Sequence, residues 1–125
     1  LIIFWSVLTF LIFSRFTFYF GPFHNYFRSF DSRREAIALV NDSSAVLTTN
    51  DLVPHLSRRK YIKFTNSEEK YNLESFDEIL LDTEEPGWKS NTKFVESIYK
   101  YLESNEKWEK KHEKDSIVLF RRLNY

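Results

Sequence analysis

The chain has no cysteine, no methionine, two glycines and three prolines in 125 residues. Without cysteine there is no disulfide, no thiolate metal site and no cysteine nucleophile. Two glycines cannot build a glycine-rich phosphate loop, and neither GxGxxG, a P-loop nor GxSxG occurs. The three histidines, His24, His55 and His112, stand far apart and lack the i, i+4 spacing of a helical zinc pair, so no metal or cofactor site is expected. A complete reading frame would begin with Met, so the chain is expected to be the end of a longer protein. Acidic residues are missing from positions 1–30, which carry only Arg15 and Arg28 as charges. The remainder holds the other 16 basic and all 18 acidic side chains. That balance gives no basic face to neutralise phosphates, and nucleic acid is excluded as an expected partner.

What is present at the start is aromatic and apolar: nine of the 13 Phe lie in the first 30 residues, beginning LIIFWSVLTFLIFSRFTFYF. A bilayer core about 30 Å thick needs roughly 20 apolar residues at about 1.5 Å each, and this run meets that length. Residues 1–22 are therefore expected to form a transmembrane helix, with Arg15 reaching the interface along its aliphatic stem. Tyr19, His24, Tyr26 and Phe27 would form the aromatic girdle, and Gly21 and Pro22 would end the helix. A signal peptide would need a basic start and a small-residue cleavage site, both lacking. A buried helix this apolar on every face would need a larger core than the remaining residues provide. Residues 23–31, FHNYFRSFD, are a short aromatic connector, too apolar for a flexible linker.

Residues 32–125 read as a small soluble α/β domain. Ser32 and Glu35 have capping-box spacing before an apolar stripe, predicting a helix over 33–41. AVLTT at 45–49, KYIKF at 60–64 and DEILLDT at 77–83 read as strands, the last buried on both faces. NDLVPHLSRR between the first two has room for one helical turn, with Pro54 in its first turn. Phe94, Val95, Ile98 and Leu102 share one face of a predicted helix over 91–105, capped by Asn91 or Thr92. The end reads as a hairpin of strands 108–112 and 116–122 with a turn near Lys114 and Asp115. Helices alternating with strands, then a hairpin, predict a mixed sheet.

Ligands of open α/β sheets bind beyond the carboxyl ends of parallel strands. Asn50, Asp51, His55 and Arg58 follow the first strand, and Asp82 and Trp88 follow the third. Together they predict a polar pocket with one aromatic wall, fit for a sugar or a phosphate-bearing group. The bland alternative is that Asn50 and Asp51 start a turn, His55 meets backbone carbonyls and Arg58 pairs with Glu84 or Glu85. KWEKKHEK reads as a solvated strand edge.

AVLTTNDLVPHLSRRKYIKF, DEILLDTEEPGW and the closing IVLFRR resemble the C-terminal region of domain of unknown function 2079, a prokaryotic family of multi-spanning membrane proteins. The resemblance runs over about residues 1–122 and is most specific in NDLVPHLSR. It implies a glycosyltransferase-like protein that uses a lipid-phosphate sugar. Its last span and an extracytoplasmic domain would be this chain, and its other spans and the bilayer would be the partners. The acidic catalytic residue of such transferases lies in an early loop, so no catalytic residue is carried over to this chain. The other expectation is a non-enzymatic, membrane-anchored α/β module that binds a partner or packs against its own protein.

Overall fold

A computed structural model describes residues 1–13, 24 and 27–123. The chain divides into two compact units, Leu1–Phe30 and Asp31–Tyr125. In the first, helix α1 (Ile2–Phe13) is 12 residues long, apolar nearly all round, and has no buried residue. At about 1.5 Å per residue it rises about 18 Å, well short of a hydrocarbon core of about 30 Å. Among the described residues no helix is long and apolar enough to cross a membrane, which overturns the expected transmembrane helix over 1–22. The expectation took helix length from the length of an apolar run, and apolar side chains set a preference for solvent, not the extent of a helix. Residues 14–22 of that run lie outside the described residues, as do Tyr19 and Tyr26 of the expected girdle; His24 and Phe27 are helical and exposed.

The second unit is an α/β domain around a five-stranded mixed sheet, as the alternation of elements predicts. Helix α2 (Phe30–Leu39) is followed by β1 (Ala45–Thr48), a 3₁₀ segment (Asn50–Leu56) and β2 (Tyr61–Phe64). Then come β3 (Glu78–Asp82), helix α3 (Thr92–Ser104) and the hairpin β4 (Trp108–Lys114) and β5 (Ile117–Arg122). The strand order is β2-β1-β3-β5-β4. β1, β2 and β3 run parallel, and β5 returns antiparallel between β3 and β4. Strand β3 is buried along its whole length, because both faces of the sheet are covered. Period two sends Leu47, Ile79, Leu81, Val118 and Phe120 to the face packed on Val95, Ile98 and Leu102 of α3. It sends Val46, Leu80, Ile117 and Leu119 to the face covered by Ala36 and Val40, with Leu52 and Leu56 of the 3₁₀ segment. Each fully buried Leu or Ile of β3 contributes roughly 1.5–3 kcal/mol relative to exposure.

Helix α3 begins as expected, with Asn91 Oδ1 accepting the Phe94 N–H at 2.8 Å. The hairpin turns on Asp115 and Ser116, and Asp115 takes the left-handed conformation, φ 52°, that tight hairpin turns require. The expected capping box does not form. Ser32 lies inside α2, and its hydroxyl donates to Asp115, while Glu35 accepts from Lys114 at 2.9 Å. Both residues of the pattern instead pin α2 to the hairpin turn. At the other end of α2, the Leu39 carbonyl accepts from Arg121 at 2.8 Å and the Val40 carbonyl from Arg59 at 3.0 Å. These guanidiniums satisfy carbonyls that a helix terminus leaves open. Pro54 stands fifth in the 3₁₀ segment, past its first turn.

Candidate functional site

The carboxyl ends of β1 and β3 meet at one edge of the sheet. There the Thr49 N–H donates to the Leu80 carbonyl at 3.3 Å, and Thr49 Oγ1 accepts the Asp82 N–H at 3.2 Å. Asp82 ends β3 on the α2 face. Its Oδ2 accepts from Arg33 Nη2 at 2.6 Å, and its Oδ1 accepts the Glu84 and Glu85 N–H groups at 3.1 and 3.0 Å. The two side chains are 7% and 0% exposed. Arg33 also reaches Glu85 at 3.4 Å. A buried carboxylate in such a setting has its charge and lone pairs already engaged.

The loop after Asp82 is built just as tightly. Gly87 has φ 80°, and a Cβ placed on it would stand 2.6 Å from Asn50 Cβ. Lys89 is also left-handed, φ 66°, and its carbonyl accepts from Ser67 N–H at 2.8 Å and Ser67 Oγ at 3.2 Å. Between these two positions Trp88 projects, 66% exposed, with the Lys89 ammonium 4.8 Å from its ring centre.

The expected site residues are thus dispersed in part. Asn50 meets the loop that carries Trp88, and Asp82 stands one hydrogen bond from Thr49. Asp51, His55 and Arg58 are exposed, with no side-chain hydrogen bond or ion pair to a described residue. His55 lies five residues along the 3₁₀ segment from Asn50, about 10 Å at about 2 Å per residue. The Arg58 pairing with Glu84 or Glu85 does not form; Arg33 takes Glu85. It is the next residue, Arg59, whose side chain is 9% exposed and pinned, to the Val40 carbonyl and to Asp42 at 3.3 Å. Among the described residues no group of three His, Asp or Glu side chains is placed to hold a metal ion.

One polar cluster escaped the sequence reading. Lys110 Nζ donates to Glu113 at 2.6 Å, Tyr99 Oη at 3.0 Å and Glu103 at 3.1 Å. Those hydrogen bonds, Glu113 foremost, hold the Lys110 ammonium well above its ordinary pKa. The same contact with Lys110 depresses the Glu113 carboxyl. The cluster borders a pocket of about 290 Å³ between α3 and the hairpin. The i, i+4 spacing of Tyr99 and Glu103 and the i, i+3 spacing of Lys110 and Glu113 were its visible signals.

No curated protein and no solved structure matches the chain. A family model does, over residues 1–119, described as "Predicted membrane protein (DUF2079)". Covering nearly the whole sequence, that match places the chain in DUF2079, a family of predicted membrane proteins of unknown function.

Proposed function

We propose that residues 31–123 form a non-catalytic binding and packing module of a multi-pass, glycosyltransferase-like membrane protein, held on its extracytoplasmic side. The observation that carries this reading is the buried Arg33–Asp82 pair. An acid with catalytic work to do at a sheet edge is exposed to its substrate or poised by an unmet charge. Asp82 instead accepts three hydrogen bonds from its own chain. In the full-length protein, Asp82→Asn is expected to lower thermal stability and cellular function together. Loss of function at unchanged melting temperature would refute the packing role. Sidedness is tested in the full-length protein with any other cysteines replaced: a Lys70→Cys variant, at an exposed position, is expected to react with a membrane-impermeant maleimide in intact cells, and labelling only after lysis refutes the orientation.

A second reading, recognition of a lipid-phosphate sugar, is favoured by the exposure of Trp88 in the loop whose Gly87 packs on Asn50. Trp88 would stack on the sugar, Asn50 and Asp51 would bind hydroxyls, and His55 and Arg58 would meet the phosphate from the far end of the 3₁₀ segment. Asp82 would act through Thr49. Saturation-transfer NMR with a short-chain polyprenyl-phosphate sugar decides it: transfer that disappears in Trp88→Ala supports the site, and transfer unchanged by that substitution removes it.

A further inference from the structure

We infer that Trp88 is a membrane-interface anchor: the loop after β3 presents its indole to the headgroup layer of the bilayer. This goes beyond the packing role and does not depend on sugar binding.

Three independent observations carry it. The first is exposure held in place. Trp88 is 66% exposed, yet the backbone on either side adopts left-handed conformations, at Gly87 (φ 80°) and at Lys89 (φ 66°). A non-glycine residue persists there only when its surroundings fix it. The Lys89 carbonyl is fixed by two hydrogen bonds from Ser67, and Gly87 is packed on Asn50. The loop is therefore a fixed mount that holds an apolar ring out from the domain.

The second is chemistry. An indole has an apolar body and one N–H donor, which suits the boundary between hydrocarbon and headgroup, where Trp is enriched. The neighbouring ammonium of Lys89, 4.8 Å from the ring centre, can reach lipid phosphate while its stem lies along the ring.

The third is position, and it names the occupant. The chain belongs to a membrane-protein family, and it enters this unit at the edge that carries Trp88. Arg33, in the first turn of α2, pairs with Asp82, the last residue of β3, whereas Asn41, beyond the end of α2, bonds Glu78 at the start of β3. Helix α2 thus runs antiparallel to β3, and its first residues share the edge from which the Trp88 loop springs.

The test uses the full chain with its three tryptophans, Trp5, Trp88 and Trp108, labelled as 5-fluorotryptophan and reconstituted in phosphatidylcholine vesicles. The Trp88 fluorine resonance is assigned by its disappearance in Trp88→Phe. The expected result is that 5-doxyl phosphatidylcholine broadens the Trp88 resonance beyond detection while a water-soluble gadolinium chelate leaves most of it. Trp108, buried in the core, serves as the internal control and is expected to survive both agents. Broadening of Trp88 by the chelate and not by the doxyl lipid overturns the inference, since the ring is then in water. Survival in both agents also overturns it, because the ring is then covered by protein.

Discussion

Removing both members of the Arg33–Asp82 pair is expected to cost far less than the sum of removing each. In Arg33→Met the carboxylate of Asp82 remains buried, at 0% exposure, and loses its 2.6 Å donor. Its remaining donors among the described residues are the Glu84 and Glu85 N–H groups. Breaking a buried pair from one side typically costs about 3–5 kcal/mol. Asp82→Asn keeps an oxygen for those two N–H groups and leaves Arg33 its 3.4 Å contact with Glu85, so about 2–3 kcal/mol is expected. The double variant leaves no unpaired charge at 0% exposure, since the Glu85 carboxylate that also loses Arg33 is 34% exposed, and its cost is expected to stay near that of Arg33→Met alone, a coupling of about 2 kcal/mol. Asp82→Leu is the wrong partner for this cycle, because it would strand the two backbone donors.

The assay is urea unfolding of the chain in detergent micelles. Urea carries no charge to screen the pair, and Trp108, packed in the core cluster against α3, reports the transition. Single domains hold about 5–15 kcal/mol in all, so Arg33→Met shifts the midpoint severely, and Arg33→Lys, which keeps the charge, is expected to fall between it and the parent. Additivity of the two single costs within about 0.5 kcal/mol would refute the reasoning. It would mean that Arg33 and Asp82 act on stability through separate contacts.

Three further outcomes follow from the same geometry. Gly87→Ala meets both a left-handed φ of 80° and an Asn50 Cβ at 2.6 Å; it is expected to cost more than the roughly 1–2 kcal/mol of the φ alone, and adding Asn50→Gly should return only the excess in urea unfolding. Asn91→Ala removes the 2.8 Å cap on α3 and is expected to cost about 1 kcal/mol, read by the same unfolding and by faster amide exchange in the first turn of α3. The Glu113 carboxyl, depressed by Lys110, contributes stability that is present above the unfolded value near about pH 4.3 and is lost as pH falls through the lower folded value. The Lys110 ammonium, raised by Glu113, Tyr99 and Glu103, contributes stability that is present below about pH 10.4 and is lost as pH rises through the folded value. Thermal melts of Lys110→Met against the parent should therefore differ by a small, constant amount from about pH 4.3 to about pH 10.4, and the difference should shrink as pH falls through the folded Glu113 value; a difference that does not shrink at all on acidification assigns the effect to packing of the Lys110 stem.

The elements that could be read from the sequence are those whose signal is local. DEILLDT shows its burial on both faces in a continuous apolar centre, α3 shows its buried stripe at Val95, Ile98 and Leu102, and the hairpin shows two runs around a turn. The pairings of α2 could not be read the same way. Ser32 and Glu35 carry a pattern that normally closes on itself within one turn, but their partners are Asp115 and Lys114, 83 and 79 residues away. A capping box and a long-range clamp use the same side chains, and spacing alone does not choose between them. The candidate site failed in a similar way: Arg58 and Arg59 are indistinguishable by type, and the direction of one backbone step puts the first in solvent and the second onto the end of α2. A usable signal did exist in β3. Glu78, Leu80 and Asp82 alternate onto one face, and two carboxylates on a face covered by a helix require cations there.

That requirement explains how α2 is held. Its own apolar contribution to the core is small, Ala36 and half-buried Ile37 with Val40 just beyond its end, roughly the burial of two medium side chains. Its attachment is made instead by charged hydrogen bonds at both ends of β3: Asp82 takes Arg33 at one, and Glu78 takes the Asn41 N–H at 2.9 Å and Arg121 Nε at 2.6 Å at the other. Apolar contacts tolerate sliding by a turn, whereas two carboxylates at opposite ends of one strand accept the helix in a single register. The arrangement therefore trades stability for position in the one helix through which the chain enters the domain. It follows that α2 can open as a unit while α3 and the sheet stay closed. In Arg33→Met, amide exchange should accelerate across 31–39 well before it does in β3 or α3; uniform acceleration throughout the domain would show that the clamp is part of the core's own cooperativity.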